Sequence, residues 1–452
     1  MQREYEAIIV GAGILGSALA TTLARQGRQV LLIERDLTEP DRIVGELLQP
    51  GGVAALQKLG LRECLEGIDA IQVHGYQCIY HAESVGIPYT KDKTDKPYEG
   101  RSFHHGKFVM ALRKRARAEE NVTVHEATVS KLISNDTSGA ILGVKTTTGE
   151  HFWAPLTVVA DGCFSKFRSD FIKRKPTVRS NFVGMVLRDA DIPNPYHGHV
   201  ILGDHSPVLV YQIGTRDTRI LVDIQGKLPS ASTGALKKYL QETVLPDLPK
   251  QLRPSFEAAL ESERLRSMPN SFLPPTTNAT PGLILLGDAM NMRHPLTGGG
   301  MTVALNDVVL LSQLLSPQAI PSFTDREAIL NAMPTLHWRR KRLSSTINVL
   351  AQALYSLFAA DDARLRVLQE GCFRYFQLGG ECVAGPVSFL SGISESPAWL
   401  ILHFFAVAFY SILLQFRKAS LAAWPKKAVE GAGVLYKACE VLLPVLVSEM
   451  KW

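Results

Sequence analysis

Cysteine is scarce in this chain: six in 452 residues, at Cys64, Cys78, Cys163, Cys372, Cys382 and Cys439. None forms a C-x-x-C pair and no His-x-x-x-His accompanies them, so the spacing of a zinc site is missing and no metal is expected. The expectation is buried, reduced thiols facing a cytosol-like compartment. The chain shows no internal repeat and no low-complexity tract. Its formal net charge of +6 is mild for the length, and no basic stripe is interleaved with aromatics, which argues against a nucleic-acid partner. Such a charge adds only a secondary attraction to an anionic membrane surface. No signal peptide is expected, because the first apolar run, from Ala7, begins almost at once and reads as a strand. What the chain does have is apolar residues, 46% of the total, enough for a sizeable core in two or three units or one interleaved unit.

The richest stretch is AIIVGAGILGSALATTLARQGRQVLLIER, Ala7 to Arg35. Ala7 to Val10 reads as a buried strand, and Gly11, Gly13 and Gly16 supply G-x-G-x-x-G around Ile14 and Leu15. Ser17 to Gln26 has helical periodicity, and Val30 to Ile33 reads as a second strand with Glu34 at its end. Gly11 suits a tight turn, Gly13 lets a pyrophosphate approach the backbone, and Gly16 lets helix and strand pack closely; the helix N-terminus adds free N–H groups and partial positive charge. A carboxylate at Glu34 can accept from both ribose hydroxyls and would repel a 2′-phosphate. The unit therefore predicts a dinucleotide site preferring FAD or NAD over NADP.

Downstream, Arg42 lies in a Pro- and Gly-bearing loop, where it could meet a phosphate or a flavin edge, or pair with Asp41 or Glu46. A helix is expected over Val53 to Leu59. Val73 to Tyr80 and Ser84 to Tyr89 look like a strand pair, with Tyr76 in the first. His104 and His105 precede a helix, Lys107 to Glu119, that carries Arg113; adjacent histidines point apart, so hydrogen-bonding roles are expected. Val122 to Val129 and Ile141 to Thr147 alternate like strands, and Thr157 to Ala160 is a buried strand ending in Asp161-Gly162. Short alternating strands from Arg179 to Asp223 suggest an antiparallel sheet, and Leu236 to Leu260 reads mainly as helix.

The second informative stretch runs from Gly282 to Leu311: a strand, then Gly287-Asp288, then a loop through Pro295 to Gly298-Gly299-Gly300, then a helix from Met301. Three glycines before a helix again expose N–H groups beside a dipole, a field suited to the pyrimidine end of a reduced flavin. Asp288, at a strand end, is placed to hold a ribityl hydroxyl. A second nucleotide-facing return so far from the first favours FAD over NAD, since an extended FAD needs both ends held. Near the C-terminus Ile347 to Ala360 is an apolar helix candidate. Ala398 to Phe416 contains no formally charged residue, and Val441 to Val447 is a shorter apolar run broken by Pro444. Trp399, Tyr410, Trp424 and Trp452 suit an interface. Membrane attachment, monotopic rather than spanning, is expected; a buried helical pair is the competing reading.

With these residues assembled, the chain resembles the squalene epoxidase (squalene monooxygenase) family over nearly its whole length. The resemblance rests on Gly11 to Gly16 with Glu34-Arg35, DRIVGELLQPGG from Asp41, HGY ending at Tyr76, SFHHGKFVMALR to Arg113 and PLTVVADGCFSKFR from Pro155. LRSMPNSFLPP from Leu265, GDAMNMRHPLTGGGMTVALNDV from Gly287 and LGGECVAGP from Leu378 complete it. It implies an α/β + α architecture: a Rossmann-type FAD-binding domain like that of flavin monooxygenases (1–70, 108–170 and 279–345), interleaved with an antiparallel-sheet substrate domain (71–107 and 171–278). C-terminal membrane-associated helices (346–452) follow.

The implied reaction is epoxidation of squalene by molecular oxygen to (S)-2,3-oxidosqualene in sterol synthesis, through a flavin C4a-hydroperoxide. Electrons would come from NADPH through cytochrome P450 reductase, on the cytosolic face of the endoplasmic reticulum. The resemblance makes Glu34, Arg35, Arg42, Arg113, Val129, Asp288 and Met301 FAD contacts, Tyr76 the active-site tyrosine and Gln49 its hydrogen-bond partner. Gly11, Gly13, Ile14, Leu15, Gly16, Asp161, Gly287, Pro295, Gly298, Gly299 and Gly300 complete the cofactor-binding set. Some relatives carry a long N-terminal regulatory segment that is not seen here, so the C-terminal helices are expected to supply attachment to membrane lipid. Transferring a thirty-carbon hydrocarbon out of water gains roughly 20 kcal/mol, so the pocket is expected to open towards lipid beside those helices. The alternatives are a self-contained NADPH-using flavin hydroxylase and a non-enzymatic prenyl-protein chaperone of related fold.

Overall fold

The computed structural model describes residues 5–450 apart from Ala82; Trp452 lies outside the described residues. Three short apolar runs and two acid-tipped runs build a five-stranded parallel sheet. Its order is Leu283–Leu285, Leu156–Val159, Ala7–Val10, Val30–Glu34 and Val122–Glu126. Ala7 sits in register with Val30 on one side and Leu156 on the other. A parallel sheet is covered on both faces, so its central strands need no polar alternation; Ala7, Ile8, Ile9, Leu31, Leu32 and Val158 are all fully buried. The helices Ile14–Arg25 and His105–Arg117 pack on this sheet, and Gly300–Leu314 packs on Ile14–Arg25.

A second sheet has seven strands, in the order Arg266–Phe272, Thr177–Arg188, Asp217–Gln225, Val208–Gln212, His197–Leu202, Gly75–Tyr80 and Glu83–Pro88. Five of its pairings are antiparallel, as expected. The sixth is not: His197–Leu202 runs parallel to Gly75–Tyr80, with Tyr76 opposite Gly198. This pairing joins strands far apart in the chain, where the return path rather than a hairpin sets the direction.

The expected helix over Leu236 to Leu260 is broken into Ala235–Tyr239, a π turn over Leu240–Val244, 3-10 turns at Leu245–Asp247 and Lys250–Leu252, and Arg253–Ser262. Pro246 and Pro249 remove two N–H donors and clash with the preceding turn. The segment still buries Leu236, Leu240, Val244 and Phe256 against Val183, Met185 and Val208 of the sheet.

The candidate helix Ile347 to Ala360 is the last part of a longer one, Arg326–Ala359, which continues through Pro334. The run Val441 to Val447 likewise belongs to Trp424–Met450, unbroken at Pro444 because Val434 and Ala438 before it and Val445 after it are anchored. Two helices, Pro397–Lys418 and the stretch Leu421–Met450, are long and apolar enough to cross a membrane. Only 28% of each apolar window is buried, which disfavours the reading of a buried helical pair. Trp399, Leu402, Phe409, Trp424 and Tyr436 stand exposed on them. One buried apolar cluster runs from Leu47, Tyr76 and Tyr211 through Tyr355 and Phe373 to Val407 and Val434, so the second sheet and the C-terminal helices share a core.

All six cysteines are free thiols, with Cys64, Cys78 and Cys372 buried; burial pushes the Cys64 thiol up to about 11.

Candidate active site

The three fingerprint glycines do three separate jobs. Gly11 has φ +104, and a Cβ there would stand 2.5 Å from the Ala160 carbonyl oxygen. A Cβ on Gly16 would meet the Gly11 oxygen at 1.9 Å, whereas Gly13 faces open space, with nothing within 4 Å. Strand-to-helix packing therefore fixes Gly11 and Gly16, and Gly13 leaves room for a ligand. The helix starting at Ile14 has no side-chain cap. Glu34 accepts from the Ala12 N–H at 2.8 Å, and Arg113 Nε donates to the Ala12 carbonyl at 2.8 Å, so the end of the second strand is tied to the loop.

The return of the chain meets this loop from the other side. Asp288 follows the strand Leu283–Leu285, and its backbone carbonyl accepts from Arg168 at 2.8 Å. Arg168 also donates to the carbonyls of Ala289, Gly162 and Cys163, so it staples the Asp161-Gly162 turn to the Gly287-Asp288 turn. The helix Gly300–Leu314 also lacks a side-chain cap. Both uncapped N-termini border one cavity of about 1500 Å³ of empty space, its open mouth included. Gly13, Ile14, Leu15, Arg42, Tyr76, Gly287, Asp288, Pro295, Gly298, Gly300 and Met301 line it, with apolar walls from Leu209, Leu221, Met268 and Leu296. Among the described residues no lining residue follows Ala304, so the described C-terminal helices back this chamber through the shared core and do not wall it.

Tyr76 is 8% exposed and its hydroxyl accepts from Gln49 Nε2. The second Gln49 N–H donates to the Thr297 carbonyl at 2.7 Å, and Tyr89 donates to Gln49 Oε1 at 2.7 Å. A carbonyl can only accept, so Thr297 fixes which end of the Gln49 amide is which. Donation thus runs from Tyr89 through Gln49 to Tyr76, which keeps its own O–H for the cavity. Burial raises the Tyr76 hydroxyl above its ordinary value, so it stays protonated. Gly198 leaves space for the ring: a Cβ there would lie 2.8 Å from it.

Behind the lining residue Glu46, Arg219 forms with it a buried two-pronged pair at 2.7 and 2.8 Å, 5% and 1% exposed for Arg219 and Glu46, and Tyr211 donates to Glu46 at 3.4 Å.

Not every predicted residue reaches the chamber. Gln49 acts through Tyr76 and Thr297. Gly11 and Gly16 shape the loop. Glu34 and Arg113 lie at the strand end, and Arg35 is exposed beside them. Val129 is core, paired with Thr146. Asp161 accepts from the Lys166 N–H at 2.9 Å while its other oxygen is buried without a partner. Gly299 makes room for Ile347, which a Cβ would meet at 2.4 Å.

Arg42 takes neither of the acids considered for it: its guanidinium donates to Cys163 Sγ at 3.2 Å, while Asp41 pairs with Arg266 and Glu46 with Arg219. The histidines hold structure as expected, His104 on Asp217 at 2.8 Å and His105 on the Gly45 carbonyl at 2.9 Å. Sequence reasoning missed Tyr89, Thr297, Arg168 and the Glu46–Arg219 pair. Glu46 and Arg168 lie inside quoted motifs, and Arg219 is a lone cation on the inward face of an apolar strand.

His105 carries a pH dependence. Burial, with Arg42 and Arg113 adding to it, lowers the imidazole to about 4, against about 6.5 in the unfolded chain. Between those values the unfolded state binds a proton that the folded state refuses, so stability falls as pH falls, by up to about 1.4 kcal/mol per pH unit. Urea unfolding at pH 7 and pH 4.5 should show a smaller acid loss in His105→Gln than in the parent; equal losses would remove His105 from the cause.

A family model described as squalene epoxidase matches residues 153–429. Squalene epoxidase erg1 of Aspergillus fumigatus is 52% identical over 98% of this chain and 93% of its own length. The chain belongs to the squalene epoxidase family. Squalene monooxygenase of Mus musculus, another member, is 50% identical over 99% of this chain and 78% of its own. A model described as glucose inhibited division protein A matches residues 6–181, which include the glycine loop. Among solved structures, p-nitrophenol 4-monooxygenase PnpA from Pseudomonas putida superposes with a TM-score of 0.70 at 17% identity, covering 88% of this chain and 100% of that one. The flavin-dependent brominase Bmp2 gives 0.64 at 14% identity, covering 90% and 99%. This chain therefore has the fold of the flavin-dependent monooxygenases.

Proposed function

We propose that this protein is an FAD-dependent squalene monooxygenase that converts squalene to 2,3-oxidosqualene in sterol biosynthesis. The observation that carries the proposal is one chamber bordered by two uncapped helix N-termini, a protonated tyrosine and an apolar wall. The residues fit FAD: Gly13 and Gly300 leave open space where side chains would stand, and Asp161 holds a buried, unpartnered oxygen beside the glycine loop. Glu34 and Arg35 would hold the adenosine ribose, the N-terminus at Ile14 the pyrophosphate, with Arg42, Arg113 and Val129 around them. Asp288 would hold the ribityl chain, and Pro295, Gly298, Gly300 and Met301 the ring. Bound FAD supplies the activated oxygen.

The chain's own residues do the rest. Leu209, Leu221, Met268 and Leu296 would seat the alkene and exclude water, and an alkene has no proton to remove, so no acid–base pair is required. Tyr76 Oη–H would donate to the oxygen under transfer. The parallel-sheet segments would hold the cofactor, 71–107 and 171–278 the substrate, and 346–452 the lipid surface. Attachment to the endoplasmic reticulum membrane and electron supply by NADPH through cytochrome P450 reductase belong to the same proposal. The exposed apolar faces of the two long helices support the membrane part.

Detergent-purified protein given squalene, NADPH and the reductase should yield the epoxide. No product, or rapid NADPH oxidation with the reductase left out, would refute the reading. Asp288→Ala should lose most of its flavin absorbance near ~450 nm, since the ribityl chain of the cofactor would lose its side-chain anchor; a full complement of flavin would remove Asp288 from the site.

A further inference from the structure

A second cavity, about 1110 Å³ of empty space with its mouth included, lies between the helices Gly300–Leu314 and Arg326–Ala359, closed by Lys58 and Glu395. Two of its lining residues each carry one buried donor atom without a hydrogen-bond partner. Arg340 is 2% exposed; its Nε and one terminal nitrogen grip Asp307 at 2.9 and 2.8 Å, and the other terminal nitrogen has no hydrogen-bond partner. Ser344 is 0% exposed and its hydroxyl is likewise unpartnered. They are four residues apart on one helix, so they share a face, and both residues line the cavity. An unmade hydrogen bond on a buried guanidinium is costly, and an acceptor in the cavity would relieve it.

The charge around these donors selects an anion. Arg339, Arg342 and Lys58 stand exposed at the mouth. Of the acids nearby, Asp307 is already engaged by Arg340, buried Glu449 lies outside the lining and accepts from Ser345 and Asn348, and Glu395 is an exposed rim residue. A guanidinium fork, a hydroxyl and several cations match the many oxygens of a phosphate better than a single carboxylate. The volume exceeds one inorganic ion, so the phosphate would be part of a larger molecule. Glu395 lies two residues before Pro397, where the first of the two long apolar helices begins.

We propose that this cavity binds an anionic phosphate ester, with Arg340 and Ser344 as the inner donors and Arg339, Arg342 and Lys58 as the outer cations. Such an ester can arrive as a phospholipid headgroup or as a soluble metabolite, and two probes separate these sources. Full-length protein in neutral detergent is titrated with glycerol 3-phosphate, and its binding to phosphatidylcholine vesicles is compared with and without phosphatidic acid. Saturable glycerol 3-phosphate binding identifies a soluble ester. A gain on phosphatidic acid alone identifies the headgroup.

In either case Ser344→Val, which changes no charge, should weaken the response about tenfold, and Arg342→Gln should add to the loss. Arg340→Gln strips the partner from Asp307 and can unfold the chain, so the proposal rests on the other two variants, each checked for a parental melting temperature. No response to either probe, or an undiminished response in Ser344→Val, overturns it.

Discussion

Arg219→Met should lower the free energy of unfolding by about 3–5 kcal/mol, the usual cost of removing one partner of a buried ion pair. Glu46 is 1% exposed and depends on Arg219 for two of its hydrogen bonds; the third, from Tyr211, is long at 3.4 Å. With the cation gone, the carboxylate must stay charged in an apolar wall or take up a proton. It should take the proton, because burial already raises Glu46 in the parent. The folded variant then binds a proton that its unfolded chain lacks at neutral pH, so its stability falls with rising pH by up to about 1.4 kcal/mol per unit. The deficit should be larger at pH 8 than at pH 5.

Adding Glu46→Leu should recover most of the loss, since replacing both members of such a pair by apolar groups is often neutral or better. Denaturant curves on the parent, the single and the double variants decide it. A single variant within about 1 kcal/mol of the parent, or a double variant no better than the single, would show that the pair does not carry this wall. The neighbours Leu47 and Leu221 line the chamber, so turnover should suffer in the single variant before unfolding is reached.

That pair also marks where the sequence stops being legible. The glycine loop can be read because its constraints are local: Gly11, Gly13 and Gly16 answer to one turn and one helix. The buried strands can be read because each is a short, wholly apolar run. Arg219 needs a partner 173 positions away, and nothing between them records it. Its one local trace is period two: Arg219, Leu221 and Asp223 share a strand face, and both charged ends are buried. A cation and an acid flanking leucine on an inward face signal paired polar groups, but not their partners.

Gly299 shows the reverse error. It belongs to a run of three glycines that looks uniformly like a ligand cradle, yet only Gly298 and Gly300 border the chamber, while Gly299 yields to Ile347. The parallel pairing of Tyr76 with Gly198 is equally silent in sequence, although it places the tyrosine ring. The break of Leu236 to Leu260 could have been foreseen from Pro246 and Pro249, because apolar periodicity continues across residues that cannot continue a helix.

Tyr76→Phe should leave flavin content near the parental level, lower stability by about 1–3 kcal/mol because a buried Gln49 N–H loses its acceptor, and reduce the rate of epoxide formation by about 10²–10³, the usual effect of removing one preorganised donor from a reacting oxygen. The substitution deletes only the hydroxyl, so the ring still fills the space opposite Gly198. Gln49 keeps its bonds to Thr297 and Tyr89, which holds the loop in place. Loss of orientation alone would spread to Gln49: Gln49→Leu should slow turnover less than Tyr76→Phe, and the double variant should fall little below Tyr76→Phe, because Gln49 acts on the reaction through that one hydroxyl. Tyr89→Phe removes the far end of the chain and should cost least. The burial that keeps Tyr76 protonated predicts a rate that does not rise or fall with phenol ionisation below pH 9. Unchanged turnover in Tyr76→Phe, or fully additive losses with Gln49→Leu, would place the donor elsewhere in the chamber.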